Sequence, residues 1–287
     1  MSNKVDNQQQ KKSKTFFRSN PVMNGLNKVS ERVADDSSSA SYGGIALKTT
    51  YFILMAVVGI MIYLVLNKLV FTDPANMSGA FLIEYENFYF QITPLECFVL
   101  GGNVILGIVC QLLACFVGST IPVTGTVFSI TEGFFVSFTI FKILKGYEYI
   151  GMLALVATVL VVLIMNILYS KQIIKADAKF RMVMLTLFIT VIAASILITL
   201  SYFIPFARPV VMQMMANPAI SIGFTVISII IAALFLISDF AMIDTVVQQR
   251  YPKKYEWRAS FGLAFTIIWL YVKILDLLIQ VIGNSDR

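Results

Sequence analysis

The sequence contains no histidine, and only 13% of its 287 residues are charged. Without histidine, His-based acid–base catalysis, the Ser-His-Asp arrangement and His-liganded metal sites are all excluded. The three cysteines, Cys97, Cys110 and Cys115, form no Cys-x-x-Cys pair and are predicted to pack in or beside one helix. The sequence also lacks a Walker loop, a nucleophile elbow and a dinucleotide fingerprint. We therefore expect a protein that is not an enzyme and that needs no metal or cofactor.

Hydrophobic residues, in contrast, make up 58% of the chain, and the mean hydropathy is +0.81. A soluble domain carries about twice this charged fraction. The apolar residues form seven runs of about 20 residues each, which is the length that a helix needs to cross a hydrocarbon core. The predicted fold is therefore an all-α membrane protein with seven transmembrane helices. The predicted spans are residues 50–71, 97–117, 122–142, 150–169, 182–204, 219–239 and 259–282.

Residues 1–48 are polar and are predicted to form a disordered cytoplasmic tail, whereas residues 49–287 form the transmembrane domain. Sixteen of the 22 Lys and Arg residues fall on the tail side of this arrangement and five on the other side. By the positive-inside rule, the N-terminus is cytoplasmic and the C-terminus lies outside. The net charge of +6 is explained by topology and by attraction to lipid headgroups. The lipid bilayer is therefore an expected partner, and nucleic acid is not.

Four charged residues lie on the polar, inward-pointing helix faces of the predicted spans. Asp239 is at the inner end of the sixth span, Glu132 is near the middle of the third, and Lys273 and Asp276 are within the last. Lys273 and Asp276 are three residues apart, so they share a helix face and can partly neutralise each other. Ionisable groups in a membrane often mark ion or proton pathways, but paired charges can also fix helix register without any transport. Both interpretations remain open on the sequence.

Three stretches of the chain resemble one known family: SDFAMIDTVVQQRYPKKYEWRASFGLAFTIIWLYVKILDLL at 238–278, PVTGTVFSITEGFFVSF at 122–138, and RSNPV at 18–22. They are similar to the Bax inhibitor-like family (transmembrane Bax inhibitor motif), specifically to its bacterial YccA-type branch. The resemblance implies seven spans with a cytoplasmic N-terminus, in a bacterial plasma membrane. It also implies a cation leak, with Ca²⁺ as the candidate ion, controlled by a pH-sensitive pair of acids.

One acid of this family pair lies at the inner end of the sixth span and the other lies in the seventh. The first maps onto Asp239, and by the Leu-Tyr-x-acid pattern the second maps onto Lys273. A lysine cannot share a proton as a carboxylic acid does, and its positive charge disfavours a divalent cation. Asp276, one turn further along, is a shifted substitute for the missing acid, and Glu132 is closer to Lys273 in depth than Asp239 is. The candidate pH latch and ion pathway therefore comprises Asp239, Lys273, Asp276 and Glu132.

The basic loop after the sixth span is a second candidate site, at the inner mouth of the pathway. Its basic residues, Arg250, Lys253, Lys254 and Arg258, are predicted either to anchor this loop to lipid headgroups or to clamp Asp244 or Asp239.

The leading hypothesis is a pH-linked cation leak channel that is gated by intramembrane acidic and basic pairs. The alternative is a membrane regulator that transports nothing and binds a membrane protease or another membrane protein partner, with the basic tail as the segment that it presents. A secondary transporter is less favoured, because the sequence contains no convincing internal repeat.

Overall fold

The computed structural model describes residues 39–73, 79–85, 87–201, 204–215 and 217–285. This part of the chain contains eight α-helices and one β-hairpin. They are α1 (Tyr42–Leu66), β1 (Phe81–Tyr85), β2 (Phe88–Ile92), α2 (Pro94–Phe116), α3 (Ile121–Phe138), α4 (Tyr149–Ser170), α5 (Ala178–Ser201), α6 (Arg208–Met215), α7 (Pro218–Gln248) and α8 (Lys254–Ser285). Short π-helical turns extend α1 over Asn67–Phe71 and α3 over Thr139–Ile143, and a 3-10 turn at Gly118–Thr120 precedes α3.

Six helical stretches among the described residues are long and apolar enough to cross a membrane. Each overlaps one predicted span, which is consistent with an all-α membrane protein. The predicted span 182–204 overlaps α5, and part of it lies outside the described residues. α7 and α8 are longer than their predicted spans, because each helix continues into polar sequence beyond its apolar stretch. The six stretches are Tyr42–Phe71, Pro94–Phe116, Gly118–Ile143, Tyr149–Ser170, Pro218–Gln248 and Lys254–Gly283.

The end of the bundle where α1 begins is called the tail side, and the end that carries the β-hairpin is called the hairpin side. α1 begins at Tyr42, within the segment that was predicted to be tail, and the Ser41 hydroxyl caps it by accepting a hydrogen bond from the Gly44 N–H at 3.0 Å. The Ala40 N–H donates to the carbonyl of Tyr251, between α7 and α8, at 2.7 Å. Residues 39–48 therefore belong to the bundle, whereas residues 1–38 of the predicted tail lie outside the described residues.

Helix α8 lies at the centre of the bundle, where it packs against α1, α3, α4 and α7. An aromatic cluster joins α8 to α1 and α3. The ring centroids of Phe52 and Phe261 are 5.4 Å apart, and those of Phe128 and Phe261 are 5.6 Å apart, both in edge-to-face geometry. Phe52 and Phe261 are fully buried. This packing fixes the rotation of α8 and therefore the positions of its charged residues within the bundle.

Helices α1 and α3 approach each other closely because glycines lie at two contact points. A β-carbon at Gly133 would lie 2.6 Å from the carbonyl carbon of Ala56, and one at Gly59 would lie 2.9 Å from that of Ile130. Small residues at such crossings let membrane helices pack backbone against backbone. The close approach fixes α3 beside α1 and positions Glu132, the residue before Gly133.

A β-hairpin covers the ends of the helices at a place where the sequence predicted only a loop. β1 and β2 are antiparallel, with Phe81 opposite Ile92, and Asn87 lies between them with a φ of 66°. Asparagine is one of the few residues that tolerate this left-handed conformation. Its side-chain amide donates to the carbonyl of Gly283 in α8 at 2.6 Å. The hairpin is thereby attached to the last turns of the central helix.

Candidate intramembrane charged site

Asp239 lies in α7 and is completely buried. The depth of Asp239 in the bundle follows from a contact one turn earlier in α7, where the ring centroids of Phe235 and of Trp269 on α8 are 6.1 Å apart. α7 and α8 are antiparallel, so Asp239, one turn closer to the tail side, is roughly level with Phe265 on α8.

Lys273 and Asp276 form an ion pair on α8, with 3.9 Å between Nζ and Oδ2 and about a quarter of each side chain exposed. The Thr225 hydroxyl on α7 donates to Oδ2 of Asp276 at 3.5 Å, and the Tyr85 hydroxyl on β1 donates to Oδ1 at 3.3 Å. Gln280 donates in turn to the Thr225 hydroxyl at 2.9 Å. We call these five residues the hairpin-side cluster. It connects α7, α8 and the hairpin through a single carboxylate.

The structure does not bring Asp239 and Lys273 together. The Lys273–Asp276 pair lies at the level of Thr225 on α7, which contacts Asp276. Thr225 and Asp239 are fourteen residues apart in α7, a separation of roughly 21 Å along the helix. The physical reason is the antiparallel course of the two helices, which places Asp239 toward the tail side and Lys273 toward the hairpin side. The ammonium group is paired with Asp276 instead, as the three-residue spacing predicts.

Glu132 also lies away from Lys273. The ring of Phe128, one turn before it on α3, is 5.6 Å from that of Phe261 and 5.8 Å from that of Phe265. Since α3 and α8 run in the same direction, Glu132 is level with about residue 267 of α8, closer to the depth of Asp239 than to that of Lys273. Within the part of the chain that the structure describes, Glu132 makes no hydrogen bond or ion pair. The hypothesis of a Glu132–Lys273 pair therefore has no geometric support.

Two cavities meet at Glu132. One, of about 370 Å³, lies between α2 and α3, and the other, of about 570 Å³, lies between α1 and α4. The larger cavity is mostly apolar, and its polar lining residues are Glu132, Thr158, Tyr271 and Glu148, the last of which lies next to the start of α4. The Gly146 N–H donates to the Glu148 carboxylate at 2.9 Å, and this backbone hydrogen bond lowers the pKa of that carboxyl.

Asp244 links helices at the tail side of the bundle. The hydroxyls of Tyr42 on α1 and Tyr169 on α4 both donate to its carboxylate, the first at 2.9 Å, so that one side chain joins three helices. The basic residues of the predicted clamp, Arg250, Lys253 and Lys254, are exposed, whereas Asp244 is half-buried. This exposure fits the headgroup-anchor interpretation of the basic loop better than the clamp.

We expect Tyr169→Phe to lower the free energy of unfolding by about 1–2 kcal/mol, because it removes a hydrogen bond to a half-buried carboxylate. Thermal unfolding of the purified protein measures the effect. Tyr89→Phe is the matched control, since the Tyr89 hydroxyl also donates to a carboxylate, that of Glu84, but Tyr89 is 64% exposed. If Tyr169→Phe and Tyr89→Phe lower the free energy of unfolding equally, the hydrogen bond to Asp244 stabilises the protein no more than a hydrogen bond at the surface does.

Two buried ion pairs escaped the sequence analysis. On the tail side, Glu256 is 1% exposed and pairs with Lys48, and it accepts a hydrogen bond from the Ser41 N–H at 2.9 Å. Lys48 also lies over the Trp257 ring, 5.3 Å from its centroid. Lys48 and Glu256 are 208 residues apart in sequence, so no local pattern could have paired them.

On the hairpin side, Glu96 is completely buried at the start of α2. Its carboxylate lies 2.8 Å from the Lys142 ammonium and accepts a hydrogen bond from the Tyr63 hydroxyl, also at 2.8 Å. Here a local signal existed, because Thr93-Pro94-Leu95-Glu96 has the spacing of a capping box. The Thr93 hydroxyl accepts from the Glu96 N–H at 3.1 Å, as a helix cap does.

The comparisons with known proteins agree with the resemblance in the sequence. A family model described as "Bax inhibitor 1 like" matches residues 3–283, nearly the whole chain. No curated protein matches the chain. The match includes both long stretches on which the resemblance depended, 122–138 and 238–278. This multi-pass membrane protein therefore belongs to the Bax inhibitor 1 like family.

Proposed function

We propose that this protein lets cations leak across the membrane along α7 and α8, with Ca²⁺ as the candidate ion. One observation carries the proposal: these two neighbouring helices hold carboxylates at three depths. Asp244 lies at the tail side, Asp239 is buried about one turn further in, and Asp276 lies near the hairpin side. Ionisable side chains are costly inside a membrane, and a series of acids along one helix pair is typical of a cation pathway.

Lys273 sets the selectivity of this pathway in our proposal. Its ammonium is paired with Asp276, so the hairpin-side cluster contains one negative and one positive charge. A bound divalent cation would have to displace or repel the ammonium. In this proposal Asp239 is the group that links the leak to pH, because its protonation would remove a negative charge from the pathway.

The topology that we propose has seven spans, with α5 as the seventh spanning helix beside the six apolar stretches. The N-terminus is cytoplasmic, the C-terminus lies outside, and the membrane is a bacterial plasma membrane, as in the YccA-type branch. The support is the excess of Lys and Arg on the tail side.

Ca²⁺ uptake into proteoliposomes, measured from about pH 5 to pH 8, tests the proposed leak. We expect the native protein to show pH-dependent uptake and Asp239→Asn to flatten the pH profile, because the amide cannot titrate. Asp177→Asn is the matched control, since Asp177 is an exposed acid in the loop before α5. If Asp239→Asn shows the same pH profile of Ca²⁺ uptake as the native protein and Asp177→Asn, Asp239 is not part of a pH-linked pathway.

A second candidate function is a regulator that transports nothing and binds a membrane protease or another membrane partner. It is favoured by the fixed start of the bundle, because Ser39 and Ala40 are bonded to the loop at Tyr251 and Pro252. Ser39, the first described residue, therefore lies beside the basic loop. Deleting residues 1–38 distinguishes the two functions: a tail-borne interaction disappears, whereas the leak persists.

A further inference from the structure

The cavity of about 370 Å³ between α2 and α3 has a distinctive polar lining. Four polar residues line it: Asn103 and Gln111 on α2, and Thr131 and Glu132 on α3. The rest of the wall is apolar and includes Val104, Ile108 and Phe128. Its volume is in the range of small-molecule sites, which typically have apolar walls and a few placed polar groups.

Two acceptors in this cavity have no donor, although the two amides of the lining also carry N–H groups. Asn103 donates a side-chain N–H to the Thr131 carbonyl at 2.9 Å, and Gln111 donates one to the Cys115 sulfur at 3.9 Å. The Gln111 Oε1 atom is buried and accepts no hydrogen bond within the described part of the chain. Glu132 is half-buried, and its carboxylate likewise accepts no hydrogen bond and has no basic partner among those residues. Two acceptors without donors, one of them an acid, are costly in an apolar setting.

The geometry points to an organic ammonium ligand, and we propose that the α2–α3 cavity binds a primary amine with a small apolar body. An ammonium group has three N–H donors and no acceptor, which complements a lining that offers acceptors and a carboxylate. An anion would meet Glu132 with no cation to balance it. Gln111 and Glu132 supply only two acceptors without donors, which is too few for Ca²⁺ with its about six to eight oxygen ligands. Asn103 lies roughly 12 Å from Gln111 along α2, so one ammonium group does not contact both amides, and the proposed site is formed by Gln111 and Glu132.

This proposal goes beyond the cation leak and does not depend on it, since binding can be measured without any flux. The probe is cyclohexylmethylamine, and cyclohexylmethanol is its matched control of nearly the same shape. We expect the amine to raise the melting temperature of the full-length protein in detergent and to do so more than the alcohol. A ligand that binds only the folded state stabilises it in proportion to its occupancy, so titration gives an apparent Kd.

Two variants test whether the amine binds in the α2–α3 cavity. Glu132→Gln and Gln111→Leu are each expected to weaken amine binding by about tenfold or more, the effect of losing a hydrogen bond to a charged group. Gln111 lines only the α2–α3 cavity, so its variant also tests the proposal if Glu132→Gln does not fold. Glu148→Gln, which changes the α1–α4 cavity alone, should leave amine binding unchanged.

Three results would overturn the proposal. Equal stabilisation by the amine and the alcohol would show that the protein recognises the apolar body only. Unchanged amine binding in both Glu132→Gln and Gln111→Leu would exclude this cavity. Loss of binding in Glu148→Gln alone would place the amine in the α1–α4 cavity instead. None of these results bears on Ca²⁺ uptake, so the failure of this proposal and that of the proposed leak are distinguishable.

Discussion

Gly133→Ala is expected to destabilise the protein by about 3 kcal/mol, at the upper end of the usual cost of overpacking. The added β-carbon would lie 2.6 Å from the carbonyl carbon of Ala56 and closer still to its oxygen. These atoms belong to the backbone of α1, which cannot turn away as a flexible side chain can. α1 and α3 must therefore separate, and the packing of Tyr63 against Phe134, with rings 5.1 Å apart, is lost with them. Thermal or denaturant unfolding of the purified protein measures the change.

Gly101→Ala is the matched control for this prediction. Gly101 also lies in a membrane helix, α2, but a β-carbon there would meet nothing within 4 Å. Its replacement should be neutral or slightly stabilising, because alanine has the higher helix propensity. If the Gly133 and Gly101 variants unfold alike, the close approach of α1 and α3 is not the source of stability that we infer.

The second large effect is expected at the buried ion pair on the hairpin side. Glu96→Ala should cost about 3–5 kcal/mol, because it leaves the Lys142 ammonium and the Tyr63 hydroxyl without their shared acceptor. Lys142 is only 14% exposed and Glu96 is not exposed at all, so water compensates little. The same unfolding measurement applies. Glu84→Ala is the control, since Glu84 is an exposed glutamate on the hairpin nearby.

A double variant separates the charge from the packing. Glu96→Leu combined with Lys142→Met removes both charges at once, so it should recover part of the stability that Glu96→Ala loses. The prediction fails if Glu96→Ala is as harmless as Glu84→Ala. It also fails if the double variant is less stable than Glu96→Ala, because the buried positive charge would then not be the cause.

The membrane helices could be predicted from the sequence because their signal is local. A run of about 20 apolar residues has few alternatives to a spanning helix, and six of the predicted spans overlap such helices in the structure. The pairing of Lys273 with Asp276 is also local, since it depends on a three-residue spacing within one helix.

The remaining features depend on contacts between distant segments. Nothing near Lys48 in the sequence indicates that Glu256 will meet it, so residues 39–48 could not be recognised as part of the bundle. The hairpin has a weak local signal, because its strands are rich in aromatic residues and Asn87 lies at the turn, but strands of five residues are short. The neighbours of Glu132 depend on how α3 is rotated against α1, which Gly59 and Gly133 decide through backbone contact.

Ca²⁺ uptake by proteoliposomes that contain the native protein or Lys273→Gln tests the proposed leak most directly. Lys145→Gln is the control, because Lys145 is an exposed lysine in the loop between α3 and α4. We predict uptake by the native protein above that of protein-free liposomes, and faster uptake by Lys273→Gln, since the positive charge beside Asp276 is removed. Lys145→Gln should match the native protein. If the native and Lys273→Gln proteins both remain at the level of protein-free liposomes, α7 and α8 do not form a cation pathway.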